Sequence, residues 1–111
     1  MKKITLITTL AMLTFSGFSQ VIYSCQDKSD AKVKVYVAHD KSDADLVVYK
    51  CQDKSDASGN DGLWYFAEDK SDAQKTIYFA DDKSDADLVI YFTNDKSDAG
   101  WQHNDKKQLM Y

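Results

Sequence analysis

The residues best equipped for chemistry come as one pentapeptide, Asp-Lys-Ser-Asp-Ala, written six times. The copies begin at Asp27, Asp40, Asp53, Asp69, Asp82 and Asp95, at intervals of 13, 13, 16, 13 and 13 residues. Carboxylates suit a hard cation such as calcium. The motif lacks, however, the glycine and closing glutamate of a helix-loop-helix calcium loop, and the Gly-rich pattern of calcium-binding β-rolls. A catalytic serine or carboxylic acid is normally one differentiated group beside a suitable partner, and six equivalent copies do not meet that condition. Asp and Ser side chains also accept from nearby backbone N–H groups and hold tight connections. A structural turn is therefore the expectation, with calcium-dependent binding through these turns as the alternative function.

Other reactive residues are sparse. His39 and His103 are the only histidines, and neither belongs to a visible set of three or four zinc ligands. No catalytic, cofactor-binding or metal residues are assigned, and no cofactor is expected. A hydrolase reading would need the unique Ser58–Asp61 loop set against His39. Trp64 and Trp101 read as a core residue and a closing residue of the sheet.

The elements that carry the turns follow from the same alignment. Four residues before each first Asp stands Tyr23, Tyr36, Tyr49, Tyr65, Tyr78 or Tyr91. Before each Tyr comes Ile22, Val35, Val48, Trp64, Ile77 or Ile90, and after it Ser24, Val37, Lys50, Phe66, Phe79 or Phe92. Short β-branched and aromatic runs are strand composition. Alternation puts Tyr on one face and the β-branched and Phe-rich positions on the other, which is the expected main core. The tyrosine face must be partly covered too. The long interval contains Ser58-Gly59-Asn60-Asp61-Gly62, read as a flexible surface turn whose glycines take positive φ. The tail from His103 is expected to fray.

Met1–Ser19 has the charged start, apolar middle and small-residue end of a secretory signal, with cleavage ahead of Gln20. Residues 20–111 would then form one domain, secreted or periplasmic. Losing Lys2 and Lys3 takes the net charge from -4 to -6. That acidity argues against nucleic acid or an anionic membrane as partner. A monomer that meets an unknown protein or glycan, with no membrane attachment after cleavage, is the expectation.

Cys25 and Cys51 occupy the same repeat position two units apart. In a sequential meander their strands would lie roughly 9.6 Å apart, whereas a disulfide needs Cα atoms within about 4.4–6.8 Å. An intramolecular bond would therefore require strands one and three to be neighbours. Export and the matching positions favour that bond. Reduced thiols, or a bridge to a second molecule, are the alternatives.

The repeated motif, joined to Asp45-Leu46-Val47-Val48-Tyr49 and Asp87-Leu88-Val89-Ile90-Tyr91, resembles the septoil-knot domain family of small secreted bacterial proteins. So do Gly59-Asn60-Asp61-Gly62-Leu63-Trp64-Tyr65-Phe66 and Lys96-Ser97-Asp98-Ala99-Gly100-Trp101. The resemblance implies an all-β chain of about seven short strands, threaded as a seven-crossing torus knot in non-sequential order, here expected to be closed by the disulfide. It implies no activity, and the chain is read as a non-enzymatic structural or interaction module.

Overall fold

The structure, a computed structural model, describes residues 20–111; the expected signal segment, 1–19, lies outside them. Each repeat supplies one strand and one short 3-10 turn. The strands are β1 (Val21–Ser24), β2 (Val33–Val37), β3 (Leu46–Lys50), β4 (Leu63–Phe66), β5 (Lys75–Phe79), β6 (Leu88–Thr93) and β7 (Gly100–Trp101). The six turns are Lys28–Asp30, Lys41–Asp43, Lys54–Asp56, Lys70–Asp72, Lys83–Asp85 and Lys96–Asp98, and a seventh 3-10 segment spans Asn104–Met110.

The strand order is β4-β1-β5-β2-β6-β3-β7, and β4 also pairs with β3. All pairings among β1 to β6 are parallel. They close a ring, which leaves no free edge among these six strands. The first three strands take alternate places, and the next three fill the gaps. One edge of β3 is shared: its C-terminal half pairs with β4 and its N-terminal half with β7, the one antiparallel partner.

This order forces the connections to cross strands. Strands β2 and β3 flank β6, so the link between them passes over β6. Ala38 N–H donates to Ile90 O and Asp45 N–H to Val89 O, tying the two ends of that link to β6. Ala38 and Ala44 cover Val89, with Tyr36 and Tyr91 packed alongside. The other crossings repeat the geometry. The first turn crosses β5 through Cys25 to Ile77 and Lys32 to Thr76. The fourth crosses β1 through Ala67 to Ile22 and Gln74 to Val21, and the fifth crosses β2 through Ala80 to Val35 and Asp87 to Lys34. The sixth turn packs on β3 and the third on β4. Every strand of the ring is crossed once, and small residues under the turns let the two layers of chain approach.

The three inserted residues have a topological task. After β3 the chain crosses β4, and Ala57 O accepts from Gln20 N–H at the start of β1. The insertion then returns the chain so that β4 runs beneath its own incoming turn. Gly59 and Gly62 have φ of 74° and 90°, as the sequence predicts. A Cβ at Gly62 would stand 2.3 Å from Val47 O, so close backbone approach also requires glycine there. The expected surface turn is thus a change of lap.

Inside the ring, Ile22, Val35, Val48, Trp64, Ile77 and Ile90 form the central layer, each fully buried. Toward the strand C-termini, Phe66, Phe79 and Phe92 meet with centroids 6.4, 6.4 and 6.5 Å apart. Around the ring they alternate with Ser24, Val37 and Lys50, so large side chains from one lap fit between smaller or extended ones from the other. Lys50 Nζ lies 4.6 Å from the Phe92 centroid and 5.8 Å from that of Phe66, a cation over the aromatic plug.

The opposite end is closed by residues outside the repeat. Met110 is buried and packs into the core with Leu109 and Trp101 beside it. Gln20 Nε2 donates to Met110 O at 2.7 Å, Lys75 Nζ to Tyr111 O at 2.7 Å, and Asn60 Nδ2 to Lys107 O at 3.1 Å. Trp101 Nε1 donates to Asn60 O at 2.8 Å. The tail expected to fray is docked.

The disulfide expectation is overturned, and with it the disulfide closure of the fold. Cys25 and Cys51 are free and buried. Strands β1 and β3 are not neighbours, because β4 runs between them. The backbone of Cys25 docks on Ile77 of β5 and that of Cys51 on Trp64 of β4, two strands separated by β1. Equal position in the repeat places each cysteine at the start of its own crossing, where a small buried side chain is wanted.

Candidate functional site

The six turns form a girdle around the ring. All but one leave their Asp and Ser side chains out of local capping; only Asp95 accepts from Ser97 N–H, at 3.2 Å. The turns are held instead by backbone bonds of the kind Asp43 N–H to Asp40 O, 3.1 Å, and Ala44 N–H to Lys41 O, 3.1 Å. The turn assignment therefore holds, but the expected side-chain mechanism operates in one copy. The freed carboxylates, hydroxyls and ammonium groups face solvent.

Those groups line a groove that recurs. Tyr23, Asp27 and Asp30 share one with Lys70. Tyr36, Asp40 and Asp43 share the next with Lys83. Tyr65, Asp69 and Asp72 share a third with Lys54. In each, the lysine comes from the turn that crosses the neighbouring strand of the ring. Crossing order, which brings distant repeats side by side, thus assembles one half-exposed phenol ring, two aspartates and one ammonium three times, with Glu68 as a third carboxylate in the Tyr65 groove. A further groove, lined by Tyr49, Lys50, Gln52, Phe92, Thr93 and Asn94, opens beside the phenylalanine plug.

Among the described residues, no group of three or more His, Cys, Asp and Glu is gathered to hold a metal ion. The motif aspartates are spread around the girdle, two to each of these three grooves. His39 lines the Tyr36 groove. Asn60 of the inserted loop faces the tail instead, so the hydrolase arrangement is not assembled. His103 Nδ1 lies 3.3 Å from Asp45 Oδ1, and Lys106 Nζ lies 3.7 Å from Asp45 Oδ2. Asp45 also accepts from Val89 N–H at 3.1 Å, so this carboxylate joins a crossing to the tail. Sequence reading missed Asp45 because its partners are distant in the chain. Trp64 is fully buried, as expected of a core residue.

The Cys51 thiol is poorly suited to reaction. Burial, reinforced by Asp56 and partly offset by Lys96, pushes the Cys51 thiol up. Burial, aided by Lys32, pulls the Lys75 ammonium down.

A closed ring of parallel strands, crossed outside by six near-identical turns, defines a small knotted all-β fold. Residues 19–102 match the 7(1) septoil knot domain, and the chain belongs to that family. No curated protein and no solved structure matches it. Among the described residues the six turns are near-copies of one another, and none carries a reactive group that sets it apart from the rest. Among the described residues no helix is long and apolar enough to cross a membrane.

Proposed function

We propose that this protein is an exported, monomeric module that binds neutral glycans in the girdle grooves. The observation that carries the reading is the threefold recurrence of one tyrosine, two aspartates and a neighbouring lysine. A phenol face stacks on the C–H face of a sugar. Carboxylates accept from hydroxyls, and an ammonium donates to ring and hydroxyl oxygens. Both signs of charge occur in each groove, which favours a polar uncharged ligand over a polyanion. Like grooves on one rigid body add avidity toward a repeating polymer. Export is supported by the composition of residues 1–19.

Titration of residues 20–111 with neutral polysaccharides, followed by NMR, tests the reading. Shifts clustered at Tyr23, Tyr36 and Tyr65, weakened at one groove by Tyr36→Ala, are expected. A flat titration across a broad glycan panel would sink it.

A further inference from the structure

We propose that Gln20 is a modification site: once the leader is removed ahead of it, its new amino group closes onto its own side chain to give a pyroglutamyl terminus. The proposal rests on the export reading above and is independent of the glycan. Gln20 is only 2% exposed. Its main-chain N–H donates to Ala57 O at 2.8 Å, and its carbonyl accepts from Tyr65 N–H at 3.0 Å. This residue is therefore built into the seam where β1 meets the lap change.

Cleavage at that bond turns a neutral amide nitrogen into an amine. Near neutral pH a terminal amine is largely protonated. Its partner here would be the neutral Ala57 carbonyl, in a buried position. Burying an uncompensated charge costs much more than losing one neutral hydrogen bond.

Cyclisation removes the charge and keeps the one N–H that Ala57 requires. The uncharged amine nitrogen attacks Cδ, and a new N–Cδ bond forms as the Cδ–Nε2 bond breaks. One amine proton passes to the departing nitrogen, which leaves as ammonia. No oxidant or further reactant is needed. The loss is the Nε2 bond to Met110 O; Gln20 Oε1, already without a partner, becomes the lactam oxygen. Because the folded position is closed, the reaction belongs to the chain before it folds.

The test is intact-mass and terminal analysis of the protein exported by a host from its own leader. A mass one ammonia below that of residues 20–111, with an amino terminus opened only by pyroglutamyl peptidase after denaturation, is expected. A free Gln20 terminus, or cleavage elsewhere, would overturn the lactam while leaving export intact. An uncleaved chain would overturn both. As a second measurement, residues 20–111 freshly released from a fusion are compared with the cyclised form in urea. The cyclised form should unfold at the higher concentration; the reverse order would overturn the energetic argument.

Discussion

The two ends of the ring are closed by different means. At the strand C-termini the plug is written into the repeat: Phe66, Phe79 and Phe92 occupy one repeat position, and Lys50, at the same position on β3, lies over two of them. At the N-terminal end the equivalent positions fall on Gln20, Gly62 and Lys75 along three neighbouring strands, and the repeat supplies too little apolar volume there. Met110 fills the space, while Lys75 and Asn60 grip adjacent parts of the tail. A repeat can close a barrel where its side chains are uniform; where they differ, a non-repeating segment must complete the core.

The largest expected effect separates lap change from plug. Gly62→Ala forces a Cβ against Val47 O in a left-handed conformation. It should cost about 3 kcal/mol or more in urea unfolding, or abolish folding. Phe79→Ala should cost about 3 kcal/mol by opening the aromatic end, and Met110→Ala about 2 kcal/mol at the other. If the ends are independent closures, the double variant should be additive within about 0.5 kcal/mol. A larger coupling would show that the plugs act as one. The smallest effect is expected in the girdle: Ser42→Ala should stay within about 0.5 kcal/mol, since backbone bonds hold that turn. Native-state alkylation should label Cys51 slowly and unfolded Cys51 quickly, because its raised pKa leaves less thiolate at a given pH.

Much of the local structure was legible. The Tyr register, the inward β-branched layer and the positive-φ glycines each follow from short-range pattern. Non-sequential order followed from the family resemblance, and its register was out of reach. Which strands lie together depends on the outer crossings, and the pentapeptide is the same at every one. The cysteines misled for that reason: equal repeat position means equal role at a crossing, and the crossed strands are different. The docking of Met110 carried no repeat signal at all. For the girdle, the sequence offered the chemical groups but not the pairing of three turns with a lysine from the turn beside each.

The central claim is the interleaving of the laps, and interstrand NOEs across β2 test it most directly. Contacts of Val35 with both Phe79 and Leu88, in parallel register, are predicted. Contacts placing β2 directly against β1 or β3 would contradict the weave.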